Sequence, residues 1–127
     1  MDSAGVNYAD TMALDDNYPG ARTALPMIPG TEVVGRTPDG RRVVAIVGGT
    51  GGYAEQAVAD ESMVHEVPDN LTDGEALALI GQGVTAWHLL RTAGRLSPGE
   101  SVAIPAAAGA APGPSWCSSR GSSAQAG

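Results

Sequence analysis

The sequence predicts a mainly β chain with helices in its second half, the strands forming a small barrel or an open sheet. Two observations predict the sheet: β-favouring runs at residues 32–37 and 41–47 separated by Pro38-Asp39-Gly40, and further short apolar segments cut by glycine and proline. A third predicts the helices: Thr72 stands three residues before Glu75, and Ala76, Leu79, Ile80, Val84, Trp87 and Leu90 follow at helical spacing.

Taken in order, the runs 32–37 and 41–47 read as a hairpin, because Pro38 presets φ at the turn and Gly40 accepts a positive φ. Gly48-Gly49-Thr50-Gly51-Gly52 then breaks the pattern. It has no following Lys-Ser and no helix, so it reads as a barrel loop rather than a phosphate cradle. Alternation resumes over 53–59, and 63–67 gives another short strand ended by Pro68. The capping box at Thr72 starts a helical region that Gly81 and Gly83 are expected to divide, exposing a second helix start near Thr85, with Gly94 as the stop. Ser97-Pro98-Gly99 reads as a turn and 100–104 as a last strand. Positions 105–127 hold Ala, Gly, Pro and Ser with little periodicity and read as a disordered tail.

Bulk properties bound the function. At 127 residues the chain suits one domain, and its 43% apolar content with no Phe makes a core of Val, Ala, Leu and Ile. Fourteen acidic residues against seven arginines give a formal charge of −7, with no basic run longer than Arg41-Arg42, which disfavours nucleic acid as a partner. A single cysteine, Cys117, excludes an internal disulfide or a thiolate cluster. No stretch approaches the length of a membrane span, so the expected location is cytoplasmic with no membrane partner.

Five strings in collinear order carry a resemblance. Ala4-Gly5-Val6-Asn7-Tyr8-Ala9-Asp10, Pro29-Gly30-Thr31-Glu32-Val33-Val34-Gly35, Gly51-Gly52-Tyr53-Ala54-Glu55, Gln82-Gly83-Val84-Thr85-Ala86 and Pro98-Gly99-Glu100 resemble the successive motifs of zinc-free NADPH:quinone oxidoreductases in the medium-chain dehydrogenase/reductase superfamily. The resemblance implies a partial GroES-like barrel, with NADPH as cofactor and a quinone or activated enone as the small-molecule substrate. Zinc-dependent relatives carry a Cys near the first motif and a His in the second; here Asn7 to Asp10 and Thr31 occupy those places, leaving no adequate tetrahedral ligand set. His65 and His88, far apart in the chain, are not expected to bind metal.

Three residues take functional readings from the resemblance, each beside a plainer one. Asn7 matches the asparagine beside the nicotinamide ring, its amide offering donor and acceptor; alternatively it caps local backbone. Tyr18 falls where an active-site tyrosine borders the quinone pocket and is the candidate catalytic residue, although Met12 stands where several relatives carry another tyrosine; the alternative is a surface aromatic beside Pro19. Thr85, at the expected helix start, matches a nicotinamide contact, or is simply a cap.

The resemblance also implies boundaries: 1–72 as a partial GroES-like catalytic domain, 73–104 as bridging helices and the first strand of an aborted nucleotide-binding domain, and 105–127 as tail. Relatives carry further strands before the asparagine motif, so the barrel is expected to be short of strands. Ala106-Ala107-Ala108-Gly109 approaches the phosphate-turn pattern, but Ala110-Ala111-Pro112-Gly113-Pro114 replaces its continuation, so the Rossmann domain is expected to be missing. The expected cause of that change of character is a one-base frameshift near residue 109 of a GC-rich gene, a hypothesis that the other reading frames would test. Relatives pair through the nucleotide domain, so their oligomeric state does not carry over. The functional expectation is a fragment of a zinc-free quinone or enone reductase, or alternatively an inactive fragment or small binding module.

Overall fold

A computed structural model of the chain describes residues 1–17 and 24–104. It divides into two compact units, Met1–Leu77 and a second beginning at Ala78. The first unit holds a four-stranded antiparallel sheet: β1 (Ser3–Ala4), β2 (Glu32–Arg36), β3 (Arg42–Ile46) and β4 (Val64–Glu66), paired in that order.

The β2–β3 hairpin turns where the sequence predicts. Gly40 takes φ +89°, its N–H donates to the Thr37 carbonyl at 2.9 Å, and the Thr37 N–H donates to the Arg41 carbonyl at 3.0 Å. The register runs from Glu32 opposite Ile46 to Arg36 opposite Arg42. Because successive side chains leave a strand on opposite faces, the register sorts them into rows. Ala4, Val33, Ala45 and Val64 line one face, and Ser3, Val34, Val44 and His65 the other. Val33 and Ala45 join Val47 in the core, against Ala4, Ala59 and Val64. Val34 and Val44 are buried on the opposite face, so the central strands are covered on both sides. Each such valine contributes on the order of 1.5 kcal/mol by leaving water.

Residues 53–59 do not form the expected strand; they run as bends and coil. Alternation is the signal there, but the Tyr53 N–H is taken by the Pro29 carbonyl at 2.9 Å in a loop–loop contact. The strand expected at 63–67 is present as β4, preceded by a 3-10 turn at Glu61–Met63 that Asp60 caps by accepting from the Ser62 N–H at 2.9 Å. Among the described residues β4 makes no pairing with β1, so the sheet is open rather than a closed barrel.

Arg42 ties the sheet to the first helix of the chain's second half. Its guanidinium pairs with Asp73 and donates to the Leu71 carbonyl at 3.0 Å, while the Ser3 hydroxyl donates to the same aspartate at 2.9 Å. The capping box forms as predicted: the Thr72 N–H reaches Glu75 Oε2 at 2.8 Å and the Glu75 N–H reaches Thr72 Oγ1 at 3.3 Å.

Including the α-helix Tyr8–Leu14 (α1), the helices are α1, α2 (Asp73–Ala78) and α3 (Val84–Trp87). The predicted break at Gly81 and Gly83 does not occur. Wide π turns at Leu79–Gly83 and His88–Ala93 flank α3, and Ala78, Gly83 and Trp87 all keep right-handed helical angles. A π turn absorbs the glycines by widening the helix rather than ending it. Gly94 closes the helical run with ordinary αR angles, and the left-handed residue is Arg95 at φ 49°. Residues 100–104 contain no strand. No described helix is long and apolar enough to cross a membrane. Tyr18, Cys117 and the 105–127 tail lie outside the described residues.

Candidate functional site

The first three motifs, distant in sequence, converge in the first unit. Gly30 takes φ +93°, and a Cβ there would lie 2.6 Å from Tyr53 Cδ1; a Cβ on Gly52 would lie 2.6 Å from the Gly30 carbonyl carbon. These two glycines let the Pro29-Gly30 turn and the Gly51-Gly52-Tyr53 loop touch backbone to backbone. The Gly52 N–H donates to the Gly30 carbonyl at 2.9 Å, and the Val47 N–H to the Thr31 carbonyl at 2.8 Å. The Tyr53 ring lies across Gly30, and its hydroxyl reaches the Gly5–Asp10 motif.

There it meets Asp10, the one buried charged side chain among the described residues, 6% exposed. Tyr53 Oη donates to Asp10 Oδ2 at 2.7 Å and also reaches the Gly5 carbonyl at 3.3 Å. The same Asp10 oxygen accepts the Asn7 backbone N–H at 2.8 Å. Asn7 is the N-cap of α1 in extended conformation, forming a capping box with Asp10 three residues on. Burial, then the neighbouring Asp10 carboxylate, push the Tyr53 phenol up to about 12 from 10.0, so Tyr53 stays a donor at neutral pH. On the far side Gly5 donates its N–H to the Glu32 carbonyl at 2.9 Å, and a Cβ on Gly5 would meet the Glu32 carboxylate at 2.7 Å.

Of the predicted site residues, Asn7 sits in this cluster, half-buried, and caps α1. Thr85 lies in the second unit, exposed, within α3. The free helix start expected there is absent, because the Val84 N–H already reaches the Leu79 and Gly81 carbonyls through the π turn, and the Thr85 hydroxyl donates to the Gly81 carbonyl at 2.9 Å. Asp10 and Tyr53 carry no functional reading from the sequence. The signal available for them is the Asn-x-x-Asp spacing, which is the spacing of a capping box, beside an aromatic that follows paired glycines.

A nicotinamide carboxamide needs both donors and acceptors, and a dinucleotide also needs backbone N–H groups at its pyrophosphate. The segment that approaches the phosphate-turn pattern, 106–109, lies outside the described residues. No group of three or more His, Cys, Asp or Glu side chains placed to hold a metal occurs among the described residues. His88 Nδ1 lies 3.2 Å from the Thr92 hydroxyl.

A sheet of four antiparallel strands with these helices matches part of a quinone oxidoreductase fold, its GroES-like portion. The quinone oxidoreductase of Thermus thermophilus, solved alone and with NADPH, superposes with a TM-score of 0.81 at 34% identity over 94% of this chain and 39% of that one. A quinone oxidoreductase of Pseudomonas aeruginosa is 34% identical over 116 residues, 83% of this chain and 35% of that protein. A component of the phenolphthiocerol/phthiocerol polyketide synthase of Mycobacterium tuberculosis is 40% identical over 116 residues, 84% of this chain and 5% of the synthase component. No family model matches the chain. Its homologues include quinone oxidoreductases of the medium-chain dehydrogenase/reductase superfamily, and the Thermus enzyme is solved with NADPH bound. The chain spans little more than a third of the length of these oxidoreductases.

Proposed function

We propose that this chain is the substrate-side portion of a cytoplasmic, zinc-free oxidoreductase in which NADPH supplies a hydride directly to a quinone or an activated enone. Residues 1–72 correspond to the catalytic domain, and 73–104 lead toward a nucleotide-binding domain. The observation that carries the reading is the convergence of three family-like motifs around the buried Asp10, with Asn7 beside it. Asn7 is the candidate contact to the carboxamide or ribose through its amide, Thr85 a candidate nicotinamide contact through its hydroxyl, and Tyr18 the candidate catalytic tyrosine. Zinc independence is supported by the donor set, since Asn7 to Asp10 and Thr31 stand where the resemblance puts the thiolate and imidazole of a catalytic zinc.

By this reading the 127 residues do not retain the dinucleotide by themselves, because Ala110-Ala111-Pro112-Gly113-Pro114 departs from the phosphate-turn pattern that would grip its pyrophosphate. Calorimetric titration of the purified chain with NADPH is expected to give no saturable heat, and quinone or enone addition no NADPH oxidation. Saturable micromolar binding with acceptor-dependent turnover, after contaminating reductases are removed, would overturn that part of the reading.

A further inference from the structure

We propose that Asp10 is a positioning residue that acts through Asn7: clamped by the Tyr53 hydroxyl on one side, its carboxylate holds the Asn7 backbone on the other and so fixes the place from which the Asn7 amide meets a ligand. This deepens the nicotinamide reading of Asn7 and rests on it.

Three observations carry the assignment. A buried carboxylate is costly unless its lone pairs are filled, and Asp10 at 6% exposure receives hydrogen bonds from two different parts of the chain. A capping box needs only the Asn7 side of that arrangement; the Tyr53 bond adds nothing to the helix end and links it to a loop 43 residues away. The linking loop is itself held without slack, because Gly30 and Gly52 leave no room for a Cβ between them and the Tyr53 ring lies on Gly30. Side chains that present a ligand group gain precision when their backbone is anchored to rigid neighbours. Tyr53 and Asp10 give Asn7 that anchor, and Tyr53 is suited to it because its hydroxyl, a donor at neutral pH, reaches the carboxylate at 2.7 Å.

The test uses the full 127-residue chain, isotope-labelled, as wild type, Asp10→Asn, Tyr53→Phe and Asn7→Ala, followed by the backbone and side-chain amide resonances of Asn7. The probe is reduced nicotinamide mononucleotide, which lacks the pyrophosphate and adenosine that the chain is not expected to grip. In the wild type the Asn7 backbone amide is expected downfield, as for a hydrogen bond to carboxylate, and the probe shifts the side-chain amide. Tyr53→Phe, which leaves the capping box whole, is expected to move both Asn7 signals and abolish the probe-induced shift while the resonances of Val34 and Val44 stay in place. Asp10→Asn is expected to do the same more severely; should it fail to fold, Tyr53→Phe alone decides. Asn7 signals and probe response unchanged in Tyr53→Phe would overturn the positioning role and leave the nicotinamide reading standing. A probe that leaves Asn7 untouched in the wild type, or binds Asn7→Ala equally well, would overturn the nicotinamide reading and the positioning role with it.

Discussion

Gly52 faces the carbonyl of Gly30 so closely that a methyl group would sit 2.6 Å from its carbon, a contact with backbone that cannot swing aside. Gly52→Ala is therefore expected to destabilise the first unit by about 1–3 kcal/mol, the range of overpacked sites, read as a lower urea midpoint with unchanged slope. Gly48→Ala, where a Cβ meets nothing within 4 Å, is the control and is expected to leave the midpoint in place. Tyr53 makes a second prediction at this scale. Its folded phenol titrates near 12 against 10.0 unfolded, so the fold favours the protonated form; that stability is whole below pH 10 and drains away as pH rises toward 12. A spectrophotometric titration of phenolate should show one tyrosine ionising late, the late step vanishing in Tyr53→Phe and moving earlier in Asp10→Asn. These residues were half legible: the motif strings flagged Asn7 and the glycines, but the partner of Tyr53 is set by a contact across 43 positions that no local pattern records.

Between elements, the join of β3 to α2 rests on Arg42 and Asp73, both side chains largely shielded at 20% and 29% exposure. The Arg42 guanidinium, then the Ser3 hydroxyl, hold the Asp73 carboxyl below its usual 3.8, so its contribution is present above that value and is lost as pH falls through the depressed folded one. Acid unfolding followed by circular dichroism should thus show Asp73→Asn less stable than wild type at neutral pH, with the gap closing below about pH 4 as the wild-type carboxylate protonates. Gly74, one residue further into α2, has open space where a Cβ would be, so Gly74→Ala is expected to stabilise by about 0.5–1 kcal/mol through the unfolded chain's lost freedom. Elements whose stop and start signals are local were readable: the Pro38-Asp39-Gly40 hairpin and the Thr72–Glu75 box appear where the sequence puts them. Those that depend on a partner were not. Residues 53–59 and 100–104 have strand-like composition, yet alternation cannot say whether a neighbouring strand has a free edge at that place. Gly81 and Gly83 read as a break because propensity counts their cost but not the π turn that accommodates them.

For the whole molecule, the contrast between a sheet covered on both faces and a helical run built on π turns predicts an uneven distribution of stability. Val33, Val34, Val43, Val44 and Ala45 are all buried and lie on strands paired on both sides, so their amides can exchange with solvent only when the sheet itself comes apart. In the run Leu79–Ala93 only Ala86 is buried, while Leu79, Val84, Trp87 and Leu89 are 46%, 50%, 61% and 52% exposed, and the π turns are a rarer, less regular geometry than the α-helix they interrupt. Few buried contacts and solvent-facing backbone bonds are the conditions for local opening. Hydrogen exchange followed by mass spectrometry or NMR should show the β2 and β3 amides slowest, tracking global unfolding as denaturant is added. Amides of Leu79–Gly83 and His88–Ala93 should exchange faster by openings that denaturant barely accelerates. Equal protection in the two sets, with one shared denaturant dependence, would mean that the helical run opens only with the sheet. The two compact units would then unfold as one cooperative body.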